Sequence, residues 1–512
     1  MLVKVYGSAV FGIEATTIRV EVNIDKGIGY HLVGLPDKAV SESSYRISAA
    51  LNNNGYKLPG KKIIINMAPA DIRKEGAAYD ITLAIGILAA SNQIKSNAIN
   101  EYIIMGELSL DGSIQPIKGA LPIALKAREE GFKYFILPNQ NAKEAAIVND
   151  LNVLGVNNIQ EVIDHFNGNK LLKPTLLDTR AEFYKHIDFP ELDFSDVKGQ
   201  ESIKRCMEIA AAGGHNIILI GPPGSGKTML AKRLPSILPA LSLKEALETT
   251  KIHSVVGKVK NTGLICERPF RSPHHSCSDI ALIGGGNNLP QPGEISLAHN
   301  GVLFLDELPE FKRNVLEVLR QPLEDREVTI SRARFSVTYP SSFMLVASMN
   351  PSPSGYFNDP NSLLTSSPLE MQRYLSKISG PLLDRIDIHI EVTPVPFDKL
   401  SEDRKGESSI TIRKRVMAAR KIQTTRFKNF EQLHYNAQMG VKQIHTFCKL
   451  SPESKTLLKT AMEKLNLSAR AYDRILKVSR TIADLANEKD IAPNHIAEAI
   501  QYRSLDREGW LG

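Results

Sequence analysis

The sequence is poor in cysteine and has no long apolar run. Its 512 residues include only four cysteines, which form no C-x-x-C pair: Cys206, Cys266, Cys277 and Cys448. This scarcity is typical of a reducing compartment and argues against a disulfide scaffold or a zinc ribbon. The longest apolar run, Ile81 to Ala90, is far shorter than the roughly 20 residues that a membrane helix needs. Because the N-terminus also lacks the pattern of a signal peptide, we expect a cytoplasmic protein without a membrane partner.

The composition is otherwise that of a globular protein with unevenly distributed charge. Hydrophobic residues make up 42% and charged residues 23% of the chain, which excludes long disorder and rod-like folds. At roughly 150 residues per domain, the length predicts three to four domains. The net charge of +7 permits a polyanionic partner without requiring one. Residues 399–512 carry 22 Lys and Arg against 13 Asp and Glu, an excess that solvated helix faces explain almost as well as a nucleic-acid surface does.

The chain divides into segments that differ in hydrophobic pattern. Residues 1–166 alternate strand and helix signals and predict a mixed α/β domain. Periodicity is lost over 167–197, which we interpret as a linker. A second α/β segment follows over 198–395, and residues 396–512 predict a helical domain. The predicted fold class is therefore α/β, with an α+β N-terminal domain, a parallel-sheet core and a C-terminal helical lid.

The second segment contains the pattern of a phosphate-binding loop. The pattern G-x-x-x-x-G-K-[ST] is formed by Gly221, Pro222, Pro223, Gly224, Ser225, Gly226, Lys227 and Thr228. It follows an apolar strand and precedes a helical pattern, which is the context that this motif requires. In such a loop the backbone N–H groups surround the phosphates of ATP, Lys227 reaches the β and γ phosphates, and Thr228 ligates Mg²⁺. A plain glycine-rich turn is the alternative.

Two further apolar runs end in polar residues that an ATPase needs. The run 302–305 leads into Asp306 and Glu307, as expected for a buried parallel strand with carboxylates at its C-terminal end. Asp306 would hold Mg²⁺ through water, and Glu307 would polarise the attacking water. A third strand ends at Asn350, whose amide would orient that water, although an Asn-Pro turn is a serious alternative.

Arg385 is a candidate for completing the site of a second subunit. It directly precedes the apolar-alternating run 386–392. An arginine supplied in trans neutralises γ-phosphate charge and can raise the rate by about 10³ to 10⁵. On the sequence alone, a surface salt bridge explains this arginine equally well.

In their order, these residues resemble the AAA+ superfamily, and within it the magnesium-chelatase-like ATPases of the YifB/ComM family. The resemblance spans essentially the whole chain and rests on four further stretches: RPFRSPHH at 268–275, GGG at 284–286, PGEISLAHNG at 292–301 and LPEF at 308–311. It implies a ring, expected to be a homo-hexamer, that uses ATP and Mg²⁺. It also implies that Arg385 is an arginine finger and that Arg470 is the residue called sensor 2, acting in cis or in trans.

The same resemblance predicts two elements that face the pore of the ring. The phosphate-loop lysine and the strand aspartate are 79 residues apart, which is longer than a compact core needs, and 283–296 resembles the insertion found in magnesium chelatases and MCM helicases. Residues 328–337 resemble the hairpin that precedes sensor 1 in those proteins. Arg332 and Arg334 at its tip are candidates for contacting DNA phosphates. Arginines that only pair with nearby acids are the alternative.

Four potential metal ligands lie close together at His274, His275, Cys277 and Asp279. We reject a metal site there, because a tetrahedral site needs well-spaced ligand pairs and the stretch lies inside the insertion motif. We expect Cys277 to be a small buried residue.

The N-terminal domain resembles the proteolytic domain of Lon proteases, a ribosomal-S5-like fold. The resemblance rests on residues 74–82 and 106–117, but Ala78 and Leu121 occupy the positions of the Lon nucleophilic serine and activating lysine. Acyl transfer then lacks both a nucleophile and its base. The resemblance therefore implies an inactive domain that is structural or guides DNA, with an unrecognised hydrolase as the remaining alternative.

The sequence thus predicts a ring ATPase that couples ATP hydrolysis to movement along DNA or its remodelling, as in helicases and branch migration. The main alternative is a chelatase- or chaperone-type ATPase that remodels a protein partner. A magnesium chelatase subunit proper fits less well, because the Lon-like domain is additional to the ATPase core of that subunit.

Overall fold

Two compact units make up the chain, and they do not follow the sequence in order. The computed structural model describes residues 2–95, 97–180, 183, 192–259, 263–286, 290–332, 335–353, 367–395, 406–430 and 433–503. The first unit comprises residues 1–187, 242–266 and 286–291, and the second comprises 188–241, 267–285 and 292–512. The predicted domains 1–166, 198–395 and 396–512, and the linker between the first two, stay a prediction. None of the described helices combines the length and apolarity that crossing a membrane requires.

A seven-stranded mixed sheet organises the first unit. The strands of this unit are β1 (Leu2–Phe11), β2 (Glu14–Asp25), β3 (Gly29–Val33), β4 (Lys62–Ala68), β5 (Tyr102–Ile104), β6 (Glu107–Leu108), β7 (Ile114–Gln115), β8 (Tyr134–Pro138) and β9 (Asn152–Val156). The helices of its N-terminal part are α1 (Lys38–Ser41), α2 (Ser43–Asn53), α3 (Asp80–Ala90), α4 (Ala120–Glu129), α5 (Asn139–Ala145) and α6 (Ile159–Asn167). The order in the large sheet is β3-β4-β2-β1-β5-β8-β9. The pairs β1/β2 and β2/β4 are antiparallel, and the other neighbours are parallel.

The core of this unit lies between the sheet and α3. Ile18, Val20 and Val22 alternate along β2 and are fully buried, as their period-two spacing predicts. All 11 residues of α3 are buried. A Cβ atom at Gly86 would lie 2.8 Å from the side chain of Val22, so only glycine allows α3 to approach the strand this closely.

The second unit begins with a helix, followed by a strand, the glycine-rich loop and a second helix, and it contains most of the remaining elements. Its first elements are α7 (Glu201–Gly213), β10 (Ile217–Ile220) and α8 (Lys227–Ile237). The next helix, α9 (Leu243–Val255), belongs to the first unit. The strands that follow are β11 (Phe270–Arg271), β12 (Gly284–Gly285), β13 (Gln291–Pro292), β14 (Val302–Leu305), β15 (Glu327–Arg332), β16 (Phe335–Pro340), β17 (Met344–Met349) and β18 (Ile388–Glu391). The helices that follow are α10 (Asp279–Ile283), α11 (Glu294–Leu297), α12 (Arg313–Glu317), α13 (Arg320–Asp325), α14 (Pro368–Leu375), α15 (Gly380–Leu383), α16 (Ser409–Arg426), α17 (Val441–Phe447), α18 (Pro452–Lys464), α19 (Ala469–Leu485) and α20 (Pro493–Gln501).

A five-stranded sheet forms the centre of the second unit, in the order β11-β14-β17-β10-β18. Every neighbouring pair is parallel. All residues of β10, β14 and β17 are buried, as expected for parallel strands that are covered on both faces. The α/β fold class, with a parallel core and a helical C-terminal region, is confirmed.

A buried ion-pair network joins the sheet to the C-terminal helices. Helix α19 packs against α7, α16 and α20. Asp387, only 2% exposed, lies 2.8 Å from the Arg474 guanidinium and 3.0 Å from Nδ1 of His215. The Nε2 atom of His215 lies 2.8 Å from the Thr481 hydroxyl. Burial alone would raise the pKa of Asp387, but Arg474 and His215 hold it well below its ordinary value.

We expect Asp387→Asn to destabilise the second unit by about 3 kcal/mol near neutral pH, because it breaks a buried charge network. The pKa of the Asp387 carboxyl is lower in the folded state than in the unfolded state. The stabilisation by Asp387 is therefore complete at a pH above the ordinary pKa of an aspartate and declines as the pH falls below it. The difference from wild type should therefore shrink below about pH 4. Scanning calorimetry measures both effects. Asp384→Asn is the control, since its partner Arg470 is 70% exposed and such pairs contribute about 1 kcal/mol or less. Equal losses of unfolding free energy in the two variants would show that the buried network does not stabilise the unit more than an exposed ion pair does.

Candidate functional site

Lys227 lies inside the glycine-rich loop, at the first turn of α8. Its Nζ atom donates hydrogen bonds to the carbonyl oxygens of Gly221 and Pro222, at 2.6 and 2.9 Å, and to Oδ1 of Asn350 at 3.2 Å. Gly224 and Gly226 adopt φ of +77° and +90°, which lets the backbone turn around the lysine. Burial lowers the pKa of Lys227, and the carboxylates of Asp306 and Glu307, which follow β14, raise it. The loop therefore presents a cation among backbone groups, as phosphate binding requires.

Asp306 lies opposite the loop and is held by two hydroxyl groups. Thr228 Oγ1 donates to Asp306 Oδ2 at 2.8 Å, and Ser348 Oγ donates to Oδ1. The hydroxyl and carboxylate oxygens of Thr228 and Asp306 are the hard ligands that Mg²⁺ prefers. In the loop, the buried Ser225 hydroxyl has no hydrogen-bond partner among the described residues. This donor set fits a nucleotide phosphate with Mg²⁺.

Glu307 occupies a strained and accessible position directly after β14. Its φ is +54°, a left-handed conformation that costs a non-glycine residue about 1 to 3 kcal/mol and clusters at functional sites. The backbone amide of Glu307 donates to Ser348 Oγ at 3.2 Å, and its side chain is 54% exposed. Nδ1 of His275 lies 3.6 Å from the Glu307 carboxylate. The carboxylate is thus free to meet water and is faced by a histidine.

The two histidines considered as metal ligands have other contacts. The His274 ring lies against that of His275, with centroids 4.0 Å apart and a tilt of 35° between the planes, and its Nδ1 lies 2.8 Å from Ser276 Oγ. Our expectation that Cys277 is buried is wrong: it is only partly buried, because it lies in the turn that precedes α10 rather than in a core element.

Arg385 and Arg470 both form ion pairs within this chain. Nη2 of Arg385 pairs with Glu324, and Nη1 donates to the Pro381 carbonyl at 2.6 Å. Nη1 of Arg470 donates to Asp384 at 2.5 Å, so its partner is the residue next to Arg385. The salt bridge that the sequence allowed for Arg385 is therefore present, and the roles of finger and sensor 2 stay predictions.

The predicted hairpin is the antiparallel pair β15/β16, in register from Glu327 opposite Pro340 to Arg332 opposite Phe335. Arg332 is exposed at the end of β15, and Arg334 lies outside the described residues. Helix α11 of the predicted insertion contacts both β15 and β11. The helix in which the insertion ends therefore lies next to the hairpin.

In the first unit, the two positions that correspond to the Lon catalytic pair differ in burial, since Ala78 is half-buried and Leu121 lies in the packed interior. Leu121 is fully buried, and its amide donates to the Glu144 carboxylate at 3.0 Å. That carboxylate also accepts from Ser254 of α9, and burial raises its pKa. The Ala78 carbonyl accepts from the Gly106 amide at 2.7 Å. Helix α9 therefore packs against the start of α4, where Leu121 lies.

Three supporting residues escaped the sequence reasoning. Ser348 binds Asp306 and the Glu307 amide. Gln200 donates to the carbonyl oxygens of Ser225 and Thr393 at 3.0 and 3.2 Å, and the hydroxyl of Tyr374 donates to the Asn350 carbonyl at 3.2 Å. Only Ser348 carried a signal, as a hydroxyl residue within an otherwise apolar strand.

Three family models match this sequence. The model described as magnesium chelatase, subunit ChlI, matches residues 193–400. The models described as subunit ChlI of Mg-chelatase and as the C-terminal region of subunit ChlI match 20–141 and 406–503. Because a model of this subunit covers 20–141, the N-terminal domain gives no argument against a chelatase relationship, contrary to our expectation.

Some individual relatives match nearly the whole chain, and others match only its N-terminal part. Competence protein ComM of Haemophilus influenzae is 44% identical over 508 residues, which are 99% of this chain and 98% of ComM. The uncharacterized protein YifB of Escherichia coli is 46% identical over 506 residues, with 98% and 97% covered. Lon protease 2 of Bacillus subtilis is 29% identical over 150 residues, which are 28% of this chain and 27% of the protease.

Because Ser348 holds both carboxylate residues in place, we expect Ser348→Ala to lower kcat for ATP by about 10- to 100-fold, as loss of an outer-shell ligand partner does. The affinity for a nucleotide measured without Mg²⁺ should change little, since the loop is untouched. Ser341→Ala is the control, because Ser341 is equally buried and its hydroxyl has no partner among the described residues. Similar rates in the two variants would exclude this role.

Proposed function

This chain belongs to the YifB/ComM family of magnesium-chelatase-like AAA+ ATPases, and from that premise we propose that it is a ring-forming motor that couples ATP hydrolysis to movement along DNA or to its remodelling. The observation that carries the hydrolytic part is the meeting of Lys227, Asp306 and Asn350 at the ends of three parallel strands.

Each residue of this group has a distinct chemical task. Lys227, with the loop amides, binds the phosphates, and Thr228 and Asp306 supply the oxygen ligands for the metal. When bound, Mg²⁺ neutralises charge on the phosphate oxygens. Glu307 accepts a proton from the attacking water, and Asn350 orients that water. The hydrogen bond that Asn350 accepts from Lys227 supports the role of Asn350, because this bond places the Asn350 amide at the phosphate end of the loop.

The DNA part of the proposal is supported by the hairpin and the insertion. The exposed Arg332 lies at the end of a paired ribbon, next to an insertion that is anchored by the bidentate Arg271–Glu294 ion pair at 2.5 and 2.7 Å. A guanidinium on a firm element can bridge phosphate oxygens. The relative named competence protein ComM supports a role in DNA uptake or recombination.

We expect DNA to stimulate ATP turnover, and the stimulation to fall steeply as salt is raised, because phosphate contacts release counterions. The double variant Arg332→Ala, Arg334→Ala should lose this stimulation and keep the basal rate. Ser331→Ala is the control, since it removes a hairpin hydroxyl without changing charge. A panel of linear, forked and four-way DNA substrates measures the effect.

Equal loss of basal and stimulated turnover would show that the two arginines are structural. Turnover that is indifferent to every DNA substrate would instead favour the alternative, a chelatase- or chaperone-type ATPase that remodels a protein partner.

We also expect subunit mixing to restore hydrolysis between two inactive variants. Lys227→Ala removes phosphate binding from its own site, and Arg385→Ala removes the finger that the neighbour needs. In rings mixed at random in equal amounts, about a quarter of the interfaces combine an intact loop with an intact finger. ATP turnover of the mixture should therefore exceed that of either variant alone. No gain at any mixing ratio, in rings confirmed by sedimentation, would exclude a finger in trans.

A further inference from the structure

Arg385 makes contacts within its own subunit that a role in ATP hydrolysis at a neighbouring site does not explain. Its side chain is only 14% exposed. One terminal nitrogen pairs with Glu324 and the other donates to the Pro381 carbonyl at 2.6 Å. Both terminal nitrogens of the guanidinium are therefore engaged within the subunit that carries them.

Glu324 belongs to an element that is continuous with the hairpin. It lies in α13, and only Arg326 separates that helix from β15. The hairpin is paired along its whole described length, and its inner face is buried at Val328, Ile330 and Tyr339. On the outer face, hydroxyl groups pair across the strands at 3.1 Å, between Thr329 and Thr338 and between Ser331 and Ser336. Because both faces of the ribbon are held, we expect it to be stiff, so that a displacement at Arg332 would be transmitted along β15 to α13.

The contact between Glu324 and Arg385 is suited to being exchanged. Although the Arg385 side chain is mostly buried, the Glu324 side chain is 61% exposed, so water can solvate this carboxylate when the pair opens, which limits what the pair contributes to stability. The backbone of Arg385 is fixed more firmly, because its carbonyl accepts from Asn216 Nδ2 at 3.0 Å and the nearby Asp387 lies in the buried network. The side chain can therefore change partner while the backbone stays in place.

We propose that Glu324 is a positioning residue that retains Arg385 on its own subunit until the hairpin is displaced, so that contact of DNA with the hairpin releases the arginine to the neighbouring site. This inference rests on the proposed role of Arg385 in trans. Under this proposal the hairpin both contacts DNA and regulates ATP hydrolysis at the site of the neighbouring subunit.

The test compares Glu324→Gln with Asp325→Asn in the full-length assembled protein. Both remove one carboxylate from α13, but Asp325 is the neighbouring exposed residue and not the partner of Arg385. We expect Glu324→Gln to raise kcat without DNA by about two- to fivefold. Loss of the ion pair increases the population of released Arg385 by about this factor. The KM for ATP should not change. Stimulation by a mixed-sequence single-stranded oligonucleotide should fall, because the arginine is already free. Sedimentation confirms equal assembly.

The effect must also depend on Arg385. In an Arg385→Ala background, Glu324→Gln should have no influence on turnover. Basal rates for Glu324→Gln that equal or fall below those of Asp325→Asn would overturn the proposal, as would an increase that persists without Arg385. Subunit mixing distinguishes this failure from failure of the proposed function. If mixing restores hydrolysis while Glu324→Gln has no effect, the role of Arg385 in trans is supported and only its restraint by Glu324 is excluded.

Discussion

The site depends on one constraint, the common direction of the strands in the five-stranded sheet. Because β10, β14 and β17 are parallel neighbours, their C-terminal ends lie at one edge, and residues more than a hundred positions apart in sequence meet there. The hydrogen bond between Lys227 and Asn350 and the one between Thr228 and Asp306 both cross this edge. Reversing any one strand would remove its side chain from the site, whereas the loops can vary without that effect.

The sequence predicts this edge well because its signals are local. Strand–loop–helix order identifies the phosphate loop, and the buried runs before Asp306 and Asn350 match β14 and β17. The hairpin expected over 328–337 is present as β15 and β16, and the helical character expected for 396–512 is present in α16 to α20. The short strands β3 and β9 and the helix α17 were not predicted, because elements of five to seven residues carry too little periodicity.

Contacts between distant residues could not be predicted in the same way. The pairing of Arg385 with Glu324 and the burial of Asp387 against α19 depend on how helices pack, which the spacing of charges does not encode. The position of His275 beside Glu307 has the same origin. The sequence suggested a metal for this histidine stretch and offered reasons to reject it, but it contained no information about which carboxylate the ring would face.

Helix α9 changes how the chain can be divided. By sequence it follows the phosphate-loop helix α8, yet it belongs to the first unit, where the Gly119 amide donates to the Ser254 carbonyl at 3.0 Å and Ser254 binds the buried Glu144. Helix α9 packs against α4, and its buried residues include Thr249, Thr250 and Ile252. The segment that leads away from the nucleotide loop and its helix α8 is therefore itself part of the first unit, which the order of motifs along the sequence does not reveal.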